Sequence, residues 1–308
     1  MSLETDLIID RRRLKRRLFV WRVVAIVAVL VAVGAVLARG VVPPGVHIAR
    51  LSVSGIITED ERAVQALDRA ATDPNVSALI VAIDSPGGSV AGGESLHDAI
   101  ARVAAHKPVV AVMAGTAASA GYMIAVATDR IFARNATLTG SIGVILQTGE
   151  ISGLLSRLGV TAEAITSGPL KDQPSLTKPL SDQGREVLHA LVMDMYDQFV
   201  SMVAAGRHMD PTRVRTLADG RAYTGRQALA LGLVDEIGDE HAARVWLADV
   251  KHVSRQQRVL DLATPGWGPF NLRASLGGLT FDVMKTLLSQ RLSLDGAWAL
   301  WQPDLPGS

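Results

Sequence analysis

The chain has 308 residues, enough for one large domain or two small ones with a real hydrophobic core. Apolar residues at 48% and charged residues at 20% exclude a disordered polypeptide, and 31 basic against 30 acidic residues, a net charge of +1, exclude a domain built to bind polyanions. With no cysteine there are no disulfides, thiolate zinc sites or cysteine nucleophiles, and 4% aromatics argues against stacking platforms for single-stranded nucleic acid.

The mean hydropathy of +0.26 points to a membrane segment, and the N-terminus supplies one. Residues 1–18 carry the basic run Arg11-Arg12-Arg13-Leu14-Lys15-Arg16-Arg17. Residues 19–38 read FVWRVVAIVAVLVAVGAVLA, without charge from Val23 to Ala38. Twenty helical residues span about 30 Å, a bilayer core. Arg22 lies near one end, where its stem reaches the headgroups. A basic cluster beside an apolar span is retained in the cytoplasm, so the chain beyond Ala38 is expected on the opposite side. A cleaved signal peptide ending at Val36-Leu37-Ala38 is the alternative, but the apolar stretch exceeds the usual signal-peptide length and favours an uncleaved anchor. Residues 39–46 read as a linker.

From residue 47 the pattern alternates strand and helix. Residues 47–54 alternate apolar and polar and predict a strand. Thr58-Glu59-Asp60-Glu61 reads as a capping box before an apolar stripe of Ala63, Val64, Leu67, Ala70 and Ala71. The nearly continuous apolar run 76–84 predicts a strand covered on both faces. A helix over 89–106, a buried strand over 108–114 and a helix over 118–127 follow, then short strands at 130–133 and 143–147. A long helix is expected over 180–205, its stripe running from Val187 and Leu191 to Phe199 and Val203. This alternation implies an α/β domain over 47–250 with a mostly parallel sheet and helices on its faces. Residues 251–308 hold Trp267, Trp298 and Trp301 and read either as a packing extension or as a contact with a neighbouring subunit or the membrane.

Glycine and serine cluster where strands end, the place where parallel α/β sheets bind ligands. Asp84-Ser85-Pro86-Gly87-Gly88 could present backbone N–H groups to an oxyanion, or be a plain turn. Ser119, in Gly115-Thr116-Ala117-Ala118-Ser119-Ala120-Gly121-Tyr122, would sit at a helix N-terminus, as a nucleophile or merely as an N-cap. Ser141, in Leu138-Thr139-Gly140-Ser141-Ile142-Gly143-Val144, is a second hydroxyl or a turn residue. A serine nucleophile needs a base, yet none of the 7 histidines lies in these loops. There is no His-Glu-x-x-His pattern to support a metal and no Gly-x-Ser-x-Gly elbow. Arginine cannot deprotonate, so lysine is left. Lys171, in Ser167-Gly168-Pro169-Leu170-Lys171-Asp172, is either a base in a dry pocket or an exposed loop residue beside Asp172. Ser175-Leu176-Thr177-Lys178 matches the Ser-x-x-Lys of penicillin-binding proteins, but without their Ser-Asp-Asn and Lys-Thr-Gly partners it reads as coincidence.

Taken in order, these loops together with Gly220-Arg221-Ala222-Tyr223-Thr224-Gly225 and Ala230-Leu231-Gly232-Leu233-Val234-Asp235 resemble the bacterial signal peptide peptidase A family in its short, membrane-anchored form. The resemblance covers roughly 47–250 and the N-terminal anchor. It implies a crotonase/ClpP-like fold and a serine–lysine dyad, with Ser119 as nucleophile, Lys171 as general base, Ser141 holding the lysine amine, and Gly87 and Gly88 at the oxyanion hole. It further implies signal-peptide substrates, a ring-shaped homo-oligomer, the bacterial plasma membrane with an extracytoplasmic catalytic domain, and no cofactor, metal or nucleic acid. One departure is Ala120, where the family usually has glycine; a negative φ at a helix start would accommodate it. A crotonase-like acyl-CoA enzyme would leave Ser119, Ser141 and Lys171 unexplained, and a non-catalytic scaffold of the same fold would tolerate loss of Lys171.

Overall fold

A computed structural model of the chain describes residue 17, residues 19–28 and residues 45–262. Residues 19–28 are helical with exposed apolar side chains, Trp21 at 71% among them. The rest of the predicted span and residues 263–308, with Trp267, Trp298 and Trp301, lie outside the described residues. Among the described residues no helix is long and apolar enough to cross a membrane.

The elements in order are β1 (His47–Ile57), α1 (Glu61–Thr72), β2 (Val76–Gly88), α2 (Val90–Ala104), β3 (Val109–Ala118), α3 (Ala120–Ala125), β4 (Arg130–Ala133), β5 (Leu138–Gly140), α4 (Ser152–Arg157), α5 (Asp182–Arg207), α6 (Pro211–Leu217), β6 (Ala222–Thr224), α7 (Gly225–Ala230), β7 (Glu236–Ile237), α8 (Glu240–Lys251) and β8 (Val259–Asp261). The strands form one sheet ordered β6-β5-β3-β2-β1-β8, with β4 also on β3 and β7 on β4. Every pairing is parallel except β5 with β6. The apolar run of β2 has its explanation here. Leu79, Ile80, Val81 and Ile83 are almost fully buried because helices cover both faces of the sheet.

The sheet forks along β3. Residues 110–113 of β3 pair with β4, whereas Thr116, Ala117 and Ala118 pair with β5. Thr137 fills the fork, donating its hydroxyl to Ala114 O at 2.6 Å and accepting Arg134 N–H at 3.0 Å. Pairing with β5 carries β3 out to Ala118, so the helix predicted over 118–127 shrinks to α3. The strand predicted over 143–147 does not form, because the open edge of β5 is taken by β6. The first helix begins later than the predicted capping box. Asp60, not Thr58, is the N-cap, accepting from Arg62 N–H and Ala63 N–H, since β1 continues to Ile57 to pair with Gly88. Helix α5 buries its apolar stripe only in its C-terminal half, around Phe199, Val200 and Val203, while Val187 and Leu191 remain exposed.

Candidate active site

The carboxyl ends of β1, β2, β3 and β5 converge, and their last residues are tied to one another. Asp84 Oδ1 accepts the Thr116 N–H at 3.0 Å, linking β2 to β3. Ser85 is fully buried; its hydroxyl donates to Gly55 O at 2.6 Å and accepts the Gly87 N–H at 3.1 Å. These bonds set the turn that brings Gly87 to φ +115°, where glycine avoids the strain of a side chain. A Cβ on Gly87 would lie 2.8 Å from Ser119 Cβ and 3.2 Å from Ser119 Oγ, so the Gly87 backbone rests directly on the serine. Gly88 packs closely on β1: a Cβ there would come within 1.9 Å of Ile57 O.

Ser119 is the residue between β3 and α3, at φ +55° and ψ −122°, and its side chain makes no capping hydrogen bond. The N-cap alternative raised by the sequence therefore fails to account for the hydroxyl. Its backbone is fully engaged. The N–H donates to Gly140 O at 2.9 Å, and the carbonyl accepts from Tyr122 N–H and Met123 N–H, each at 2.9 Å. A non-glycine residue at such angles costs about 1–3 kcal/mol and persists only where its surroundings over-determine it. Ala120 is the first residue of α3 and is not among the positive-φ residues, so its methyl is unstrained. Room for that methyl comes from α2, where a Cβ on Gly93 would stand 2.9 Å from Ala120 Cβ.

Ser141 follows Gly140, the residue that receives the Ser119 N–H. It too has a positive φ, +48°; its N–H donates to Arg221 O at 2.9 Å and its hydroxyl to Gly220 O at 3.3 Å. The structure thus gathers Ser119, Gly87 and Ser141 in one place. Lys171 makes no hydrogen bond to any of the three. Lys171 is exposed on the irregular stretch between α4 and α5, its N–H donating to Gly168 O at 3.1 Å. Asp172 pairs with Lys178 at 3.3 Å instead. This stretch exposes Leu158 and Ile165, the latter at 97%; Ile145 before α4, Leu154 within it, and Val187 and Leu191 of α5 are exposed too. Among the described residues, no three histidine or acidic side chains group as metal ligands.

Two contributors escaped the sequence reading. Ser85 stands inside the Asp-Ser-Pro-Gly-Gly motif, where the glycines drew the attention, and its buried hydroxyl is what shapes the turn. Tyr122 stands three residues after Ser119, fully buried, with its hydroxyl donating to Leu233 O at 2.8 Å. Nothing in the chain's periodicity marks either one.

The site is thus a mostly parallel α/β sheet whose strand ends hold a strained serine with an uncommitted hydroxyl. Residues 101–254 match the family model for peptidase family S49. The chain is 40% identical over 215 residues to the putative protease slr0021 of Synechocystis sp., covering 70% of this chain and 78% of that protein. It is 38% identical over 205 residues to a putative signal peptide peptidase SppA of Enterococcus faecium, covering 62% of this chain and 60% of that protein. A solved ClpP1 chain of Listeria monocytogenes overlaps 62% of this chain and 91% of its own, at TM-score 0.42 and 18% identity, a likeness too slight to build on. The chain belongs to peptidase family S49, the signal peptide peptidase SppA family, and is a serine peptidase.

Proposed function

We propose that this chain is a membrane-anchored endopeptidase of crotonase/ClpP-like fold that cleaves signal peptides left in the bilayer, and other unfolded segments, with a Ser119–Lys171 dyad. The observation that carries the reading is Ser119 itself: a serine held at φ +55° with its hydroxyl unused, against the bare backbone of Gly87. In this mechanism the unprotonated Lys171 amine takes the Ser119 proton as Oγ attacks the substrate carbonyl. The oxyanion is held by backbone N–H groups at Gly87 and Gly88, the Gly87 N–H exchanging Ser85 Oγ for the developing charge. The lysine returns its proton to the leaving amine. Water, deprotonated by the same lysine, then releases the acyl group. Ser141 orients the amine. No cofactor takes part.

Because Lys171 is exposed and distant in sequence, the dyad is completed between copies in a ring-shaped homo-oligomer, Lys171 of one protomer reaching Ser119 of the next. The exposed apolar strip around Ile145, Leu158 and Ile165 is the surface such an assembly would cover. The apolar N-terminal segment anchors the protein with residues 1–18 in the cytoplasm and the catalytic domain outside.

The test is complementation. Ser119→Ala and Lys171→Ala are each expected to be inactive on a signal-peptide substrate while remaining folded. Co-assembled in equal amounts they regain about a quarter of the sites, because each working site needs an intact serine from one copy and an intact lysine from another. Activity in either single variant rejects the dyad, and no recovery on mixing rejects its completion between copies.

A further inference from the structure

The segment Ala230–Asp235 takes no direct part in the proposed chemistry, yet it stands behind the serine. Tyr122 lies in the first turn of α3, and its N–H donates to the Ser119 carbonyl at 2.9 Å. Its side chain crosses the core and donates to Leu233 O at 2.8 Å. Burial pushes the phenol well above its ordinary range, so it remains a proton donor. Leu233 is followed two residues later by Asp235, whose carboxylate accepts from Arg207 Nη1 at 2.9 Å and Nη2 at 2.6 Å and from Ile131 N–H at 2.8 Å. Arg207, at the end of α5, also donates Nε to Gly232 O at 3.0 Å. The carbonyl that receives Tyr122 is therefore held from both sides, by an ion pair whose arginine side chain is only 8% exposed.

We propose that Tyr122 is a positioning residue for Ser119, and that Arg207 and Asp235 act through it by holding the 232–235 backbone. The proposal rests on Ser119 being the nucleophile. The six residues of α3 are all buried, and the helix is too short to be stable by itself. Its orientation comes from what grips it. At its start the Ser119 carbonyl is bonded to the N–H of Tyr122, and the far end of that same side chain is fixed to an immobile carbonyl. Releasing the phenol end lets the first turn rotate and Ser119 relax from its positive φ, which carries Oγ away from Gly87.

The experiment compares Tyr122→Phe and Asp235→Asn with the parent in the full-length protein, reading thermal stability, kcat and KM on a peptide substrate, and the rate at which a fluorophosphonate probe labels Ser119. A positioning role predicts that kcat and the labelling rate of folded protein fall about ten- to a hundredfold with KM unchanged. Ser77→Ala, which removes a hydroxyl bond to His47 O at the opposite end of the sheet, is expected to cost stability without slowing labelling. If Tyr122→Phe lowers stability but labels at the parent rate, Tyr122 is only a core residue and the proposal fails. Should Tyr122→Phe not fold, Asp235→Asn decides between the same outcomes. Ser119→Ala separates the two levels: activity in that variant overturns the nucleophile itself, whereas its inactivity beside normal Tyr122→Phe and Asp235→Asn proteins overturns the positioning role alone.

Discussion

Gly87→Ala is the sharpest probe of the site, because its cost can be worked from geometry. The methyl would sit 2.8 Å from Ser119 Cβ and 3.1 Å from Ala118 O, at a residue whose φ is +115°. The backbone strain alone is about 1–3 kcal/mol. Crowding against a fixed neighbour adds about 1–3 kcal/mol more. If the protein absorbs both without moving, stability falls by about 2–6 kcal/mol, a drop of about 5–20 °C in melting temperature. If it relieves the clash by shifting Ser119, stability falls less and the labelling rate at Ser119 drops by about a hundredfold. Differential scanning fluorimetry beside probe labelling separates the two. Gly159→Ala supplies the strain without the crowding, since Gly159 has φ +71° and nothing within 4 Å of its missing Cβ. A Gly87→Ala protein that melts and labels like the parent would show that Gly87 and Ser119 are not in contact.

Ser119→Gly is expected to abolish cleavage and raise the melting temperature, because glycine relieves a strain of about 1–3 kcal/mol; calorimetry checks this. Lys171→Arg keeps a positive charge but cannot deprotonate, so peptidase assays are expected to find it as inactive as Lys171→Ala. Burial pushes the Asp235 carboxyl up, but the Arg207 hydrogen bonds and charge and the Ile131 N–H outweigh it and hold the group below the usual carboxylate range. The stability this contributes is present above the unfolded carboxylate pKa of about 3.9 and is lost as pH falls through the lower folded value. Melting curves across the acid range are thus expected to be shallower in pH for Asp235→Asn than for the parent. A single cysteine introduced just after Ala38 is expected to react with an impermeant reagent in intact cells; reaction only after lysis would reverse the proposed topology.

The parts of this fold legible in the sequence are those where one physical signal dominates. The run 76–84 reads as a buried strand because both faces of β2 are covered, and Ser89 precedes α2 as its side-chain N-cap. The Ser119 loop is legible through its small residues, which allow β2 and α2 to close on it. The fork of β3 is not legible, since three-residue strands such as β5 and β6 carry no period and form only through their partners, β5 on β3 and β6 on β5. Thr58 and Asp60 are both good caps, and the choice between them belongs to how far β1 runs. Leu191 lies on the apolar stripe predicted for α5 and yet is exposed, and Lys171 has two readings in the sequence with no local signal to choose the exposed one.

Ser119 leads into a six-residue plug with no face to the solvent, so it can neither swing nor be retuned without disturbing the core. The outward strip from Ile145 to Ile165 carries no such burden. Substitutions along that rim therefore cost the folded chain little, whereas any change at the hub is felt through its packing.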